Sequence, residues 1–243
     1  MLMAKIYCAI AALSLAVAFF PLRASAMGYG QGKERDSQNC PIGAAQFQEL
    51  FADCEAYAMT PDKKRIILTF DQGYENGYTA QILDTLQEKG VTAIFFLTGD
   101  YAQKETKLVQ RMIDEGHMLG NHGMKHAALP TLTPAQLEDE LLSLHDYVLQ
   151  NYDYEMQYFR PPCGEYDADS LDIVHSLGYR TVFWSHAYVD WKTDSQPDPE
   201  VAISNLTDAA HGGAIYLLHS VSETNAQILG ELIDNLRAKG YTV

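Results

Sequence analysis

Residues 65–78 read RIILTFDQGYENGY. An apolar, β-prone run from Ile66 to Phe70 stops at Asp71. A polar turn punctuated by Gly73 and Gly77 follows, and helical periodicity takes over from Thr79. The pattern predicts a strand over 65–70 that carries a carboxylate to its C-terminal end, with a loop folded over it. In α/β folds that edge is where chemistry gathers.

The alternation continues downstream. A helix is predicted over 79–88, closed by Lys89 and Gly90, glycine being a common helix stop. VTAIFFL at 91–97 is a continuous apolar run, as for a strand buried on both faces. Then follow a helix over 108–114 and a strand over 117–120. A long helix to about residue 150 is capped by Thr133 with Pro134 at its first position. Strands over 157–159, 179–185 and 213–219 alternate with helices over 168–177, 199–210 and 225–239, and 241–243 begins a last strand. This spacing predicts βα units on a parallel sheet. Six to seven strands point to an α/β fold of the distorted, incomplete β/α barrel kind. Upstream, 27–64 reads as a short N-terminal extension. Its one helix, within 44–57, is expected on the outside of the domain, with no sign of chemistry.

The 243 residues are 47% hydrophobic and 20% charged, which suits one domain with a sizeable core. Residues 1–26 read as a secretory signal peptide: Lys5, an uncharged apolar run over 6–20, Pro21, and the A-x-A site Ala24-Ser25-Ala26. The run is shorter than the roughly 20 residues of a spanning helix, so no stable membrane insertion is expected after cleavage. Losing Lys5 and Arg23 takes the formal net charge from −15 to −17. A protein this acidic is a poor partner for nucleic acid or anionic lipid, and a secreted or envelope monomer is expected. Export permits a Cys40–Cys54 disulfide. Two free thiols are the alternative.

Five polar clusters fall at or just past strand ends: Asp71-Gln72, His122 with His126, Arg160-Pro161-Pro162, Asp190-Trp191, and His219. Each alone is a common structural feature: a loop cap, a buried core histidine, a rigid turn. Their joint placement at one end of successive strands is what points to a site. His122 and His126 are four apart, the spacing that puts two imidazoles on one helical face to share a divalent cation. A zinc protease motif would need Glu after the first histidine, and Gly123 stands there.

TFDQG, HGMKH, RPPCG, Val189-Asp190-Trp191 and LLHS together resemble, in order, the five motifs of the NodB-homology polysaccharide deacetylases, carbohydrate esterase family four. The resemblance runs from Arg65 to the C-terminus. FDQGYENGYT, VFWSHAYVDWK and GAIYLLHSVSETNA resemble the branch that deacetylates muramic acid in peptidoglycan on the way to the δ-lactam of spore cortex. The resemblance implies Asp71 as catalytic base, Arg160 as its partner, His219 as catalytic acid and Asp190 as the residue that tunes it. It implies His122 and His126 as ligands of a cation, zinc or similar. Trp191 and Leu217 become apolar walls for the acetyl methyl, and the Cys163 N–H an oxyanion donor. A thiolate ligand role for Cys163 is the lesser alternative.

Two departures stand out. The family has a second Asp, the third metal ligand, where this chain has Gln72, a neutral and weak ligand. The cation is therefore expected to be weakly held, and a metal-independent route through Asp71 and Arg160 stays open. Gly123 stands where Ser or Thr is common. Peptidoglycan glycan strands are the implied partner. A deacetylase of N-acetylglucosamine or chitin oligosaccharides and a non-catalytic glycan-binding protein are the alternatives.

Overall fold

The computed structural model describes residues 26–243; the leader predicted over 1–26 lies almost wholly outside them. In chain order the elements are β1 (Met27–Gly28), α1 (Ile42–Leu50), β2 (Ala56–Tyr57), β3 (Ile67–Gln72), α2 (Thr79–Lys89), β4 (Ile94–Leu97), α3 (Gly99–Lys104), α4 (Thr106–Asp114) and β5 (Met118–Asn121). Then come α5 (Pro134–Tyr152), β6 (Tyr158–Phe159), β7 (Glu165–Tyr166), α6 (Ala168–Ser176), β8 (Arg180–Val182), β9 (His186–Ala187), α7 (Pro199–Asp208), β10 (Ile215–His219) and α8 (Glu223–Ala238). Eight strands form one sheet in the order β2-β8-β6-β5-β4-β3-β10-β9, and every pairing in it is parallel. β1 and β7 make a separate antiparallel ribbon.

The chain itself links the two ends of the sheet. It leaves β8, crosses through residues 183–185, and pairs as β9 beside β10, with the Ser185 N–H donating to Ile215 O at 2.9 Å. A curled sheet joined by a crossing, not by a ladder, is the distorted, incomplete barrel expected.

Side chains on a strand alternate between its two faces. On the outer face Leu68, Phe70, Phe95, Leu97, Tyr216 and Leu218 are buried in one cluster with Ile82, Leu83 and Leu86 of α2 and Leu229, Leu232 and Ile233 of α8. Each such side chain contributes roughly 1.5–3 kcal/mol by leaving water. On the inner face Ile94, Phe96, Val182 and Ile215 form a smaller plug, with Ile67, Met118 and Tyr158 against it. The inner positions that follow, Asp71 and His219, open above this plug.

Several boundaries differ from expectation. β3 runs on through Asp71 and Gln72, so both are strand residues. α3 was not anticipated; Thr98 caps it, its Oγ1 accepting from the Tyr101 N–H. Residues 241–243 supply only a bridge, Thr242 to Arg65. Residues 27–64 are built into the fold. They give β2 to the main sheet, and Ala44 and Phe47 of α1 pack with Tyr166, Phe183 and Trp184. Two residues of strand are too few to show a period. Cys40 and Cys54 are free thiols, and Cys54 Sγ donates to Asp172 at 3.1 Å. Among the described residues no helix is long and apolar enough to cross a membrane.

Candidate active site

β3 and β10 pair in parallel with His219 opposite Asp71. Both side chains line one cleft of about 900 Å³, as do His122, His126, Cys163, Trp191 and Leu217. Four of the five predicted clusters therefore contribute lining residues directly, and the fifth, Arg160, sits beneath the floor.

Arg160 is fully buried. Its Nη1 donates to Asp71 Oδ1 at 2.8 Å, its Nε to Val182 O at 2.9 Å and its Nη2 to Phe183 O at 3.1 Å. The guanidinium lies 4.2 Å from the centroid of the Phe96 ring. Gly120 pairs with Phe96 across β4 and β5 and makes that placement feasible. A Cβ at Gly120 would stand 2.4 Å from Phe96 Cδ1. Burial by itself would raise the Asp71 carboxyl, but Arg160, then His122 and His219, outweigh it and hold it below the ordinary carboxylate value.

Across the cleft, His219 Nδ1 lies 2.7 Å from Asp190 Oδ1, and the His219 N–H donates to Asp190 Oδ2 at 2.9 Å. Asp190 is fully buried. Burial works to lower the His219 imidazole, and the Asp190 charge and hydrogen bond overcome it and raise it. Trp191 is 46% exposed, with its ring 5.5 Å from that of His219. Leu217 is buried on the same face of β10. Cys163 has φ 57° within the turn at residues 162–164, and among the described residues its N–H finds no acceptor. Burial raises the Cys163 thiol, which disfavours the thiolate.

His122 and His126 do not lie on a helix. His122 follows β5 directly, and His126 sits in the left-handed region at φ 57°. Their rings are 4.7 Å apart between centroids. His122 Nδ1 is 2.8 Å from Arg160 O. A carbonyl only accepts, so Nδ1 carries the proton and Nε2 keeps its lone pair. Burial, more than any charge, pushes the His122 imidazole down to about 4, so it stays neutral. Its Nε2 stands 3.5 Å from Asp71 Oδ2. Two acceptor atoms facing one another are an arrangement that a cation beside them would satisfy.

Gln72 takes a different direction from its neighbour. Strand alternation turns it to the face opposite Asp71, where its Nε2 donates to Ser220 Oγ at 2.5 Å. It is fully buried and is not among the cleft-lining residues, and its Oε1 has no hydrogen-bond partner among the described residues. Among the described residues no group of three or more His, Cys, Asp or Glu side chains converges as a ligand set.

Sequence reasoning missed several contributors. Asn225 Nδ2 donates to Asp190 Oδ2 at 2.6 Å and to His219 O at 3.1 Å. The Tyr188 hydroxyl donates to Asn225 Oδ1. From the N-terminal segment, Tyr29 and Gln31 line the cleft. The Tyr29 hydroxyl donates to Trp184 O at 2.5 Å, and Gln31 Oε1 accepts from Trp184 Nε1 at 3.1 Å. Tyr188 and Asn225 lie inside the quoted stretches, but no spacing rule marks them. Tyr29 and Gln31 carried no signal.

A curled parallel half-barrel with this cleft at the carboxyl ends of its strands is the architecture of a known family, and the chain belongs to it: residues 58–182 match the polysaccharide deacetylases. Over 204 residues it is 43% identical to the peptidoglycan-N-acetylmuramic acid deacetylase PdaA of Bacillus subtilis, covering 83% of this chain and 78% of that protein. The structure of B. subtilis PdaA, a family 4 carbohydrate esterase, superposes with a TM-score of 0.84, at 40% identity, covering 89% of this chain and 93% of that one. A peptidoglycan-N-acetylglucosamine deacetylase of Bacillus cereus is 30% identical, over 76% of this chain and 68% of that protein. BA3943 of Bacillus anthracis, described as a family pseudoenzyme, is 26% identical with a TM-score of 0.72, covering 77% of this chain and 66% of that one.

Proposed function

We propose that this chain removes the N-acetyl group from N-acetylmuramic acid in peptidoglycan glycan strands, as an exported hydrolase of the cell envelope cleaved after Ala26. The observation that carries the reading is Asp71–Arg160 and His219–Asp190 on adjacent parallel strands, in register, facing one cleft. The likeness to PdaA supports the choice of sugar. The freed muramic amine, closing on its own lactyl carboxyl with loss of water from that carboxyl, would give the δ-lactam of spore cortex.

Ionised Asp71 takes the proton of the attacking water, and Arg160 holds the charge of that base. The Cys163 N–H faces the developing oxyanion, a contribution of about 10²–10³ in rate. Trp191 and Leu217 wall the acetyl methyl. Protonated His219 delivers its proton to the departing nitrogen, and Asp190 stabilises the imidazolium; such a transfer is worth about 10²–10⁴ in rate. His122 and His126 would hold a divalent cation, zinc or similar, weakly, because neither brings a charge. Such an ion lowers the pKa of a bound water toward about 7 and polarises the carbonyl.

The test is acetate release from peptidoglycan strands and from chitin oligosaccharides, with mass spectrometry of the products, with chelator and with Zn²⁺ restored. Release from the peptidoglycan strands, lost in Asp71→Asn and His219→Ala, is expected. Release from chitin oligosaccharides alone would favour the second enzyme reading, which the B. cereus relative supports. Glycan affinity with no acetate from either substrate would favour a binding protein, a reading that the outward turn of Gln72 and the likeness to BA3943 keep alive.

A further inference from the structure

At the start of the loop that carries both histidines, Asn121 at the end of β5 accepts from the Gly123 N–H through its Oδ1 at 2.8 Å. Gly123 stands where the resemblance leads one to expect Ser or Thr. His126 nonetheless holds a left-handed backbone, a conformation unfavourable for a residue with a Cβ. The next three loop N–H groups that are held find their acceptors in one residue of α5. The Met124 N–H donates to Glu140 O at 3.0 Å. The N–H groups of Lys125 and Ala127, on either side of His126, donate to Glu140 Oε1 at 2.7 and 3.1 Å.

Glu140 is 5% exposed, and among the described residues it has no ion-pair partner. A carboxylate buried without a cation is costly unless hydrogen bonds satisfy it. Here the loop's backbone donors do so. Gly123, at φ 84°, permits the approach: a Cβ there would stand 2.7 Å from Glu140 Oε1. The mechanism makes no other use of this buried acid.

We infer that Glu140 is a positioning residue: its carboxylate sets the loop backbone that turns the His126 ring toward His122, and Gly123 is the residue that admits it. The inference rests on the reading of the two histidines as the cation pair. It also supplies a physical reason for glycine at 123, since a side chain there would collide with the Glu140 carboxylate.

Four metal-stripped proteins test it: wild type, Glu140→Ala, Glu140→Gln, and Glu138→Gln, which removes a charge from an exposed position of the same helix. Zn²⁺ affinity is read by isothermal titration, and exchange of the Lys125 and Ala127 amides by NMR. Glu140→Ala should weaken zinc binding by roughly 10–100-fold, as loss of an outer partner of a metal ligand does, and should speed exchange of both amides. Glu140→Gln keeps an acceptor oxygen and should retain both properties. Glu138→Gln should match wild type. If Glu140→Ala does not fold, Glu140→Asp, whose shorter arm withdraws the oxygen, takes its place with the same expectation. Unchanged zinc affinity in that variant, or an equal loss in Glu140→Gln, overturns the inference. Wild type that binds no zinc overturns the cation reading alone. Amide exchange then decides Glu140, and unchanged protection without the carboxylate overturns its role.

Discussion

Asp71 and His219 are neighbours across one ladder pairing, yet their surroundings push them in opposite directions. Arg160 keeps the carboxyl below its ordinary 3.8, and Asp190 keeps the imidazole above its ordinary 6.5. Separating two titratable groups in this way assigns a base and an acid at the same pH. Because the His219 value is raised, the protonated form persists from low pH past 6.5 and is lost as pH climbs through the raised value. The pH profile of kcat/KM should therefore fall on its basic side above 6.5. Asp190→Asn should move that limb to lower pH and reduce kcat by about 10²–10⁴. An unmoved limb would mean that another group delivers the proton. Arg160→Met tests the opposite pair. It leaves a buried charge and two carbonyls without partners, and chemical unfolding should show a loss of about 3–5 kcal/mol. Most of these residues were legible because each sits at the end of an apolar run. The direction of Gln72 was not legible, because adjacency in sequence hides which face of a strand a side chain takes.

Elements explain why the constellation holds its shape. β3, β4 and β10 were readable as strands because their apolar runs are buried on both faces. The loop of His122 and His126 was read with helical geometry because a four-residue spacing is ambiguous. Only the neighbouring helix decides it, through Glu140. The small partner of a large side chain is equally invisible in sequence. Gly120 makes room for Phe96, and Phe96 underlies Arg160. Gly120→Ala should destabilise the fold by about 1–3 kcal/mol through overpacking, seen as a lowered Tm. Its activity should drop at temperatures where the protein is still folded, because the ring that shifts supports Arg160.

For the whole molecule, charge and chain path matter most. The formal net charge is −15, and the proposed substrate is an anionic polymer. Like charges slow encounter, and salt screens them within a Debye length of about 8 Å at physiological ionic strength. From very low salt, kcat/KM on peptidoglycan strands should rise as NaCl is added, while a neutral chitin oligosaccharide shows no such rise. The N-terminal segment was the least legible part. Tyr29, Gln31 and β2 meet their partners more than a hundred residues away in sequence, and nothing local announces that.

The ends of the curled sheet have one more consequence. β2 and β9 have two residues each. A free strand edge is a template on which another chain can add itself, and a long flat edge invites fibrils. Edges this short offer few unpaired backbone groups to a partner strand. The seam of this open barrel thus presents little strand edge on which another chain could pair.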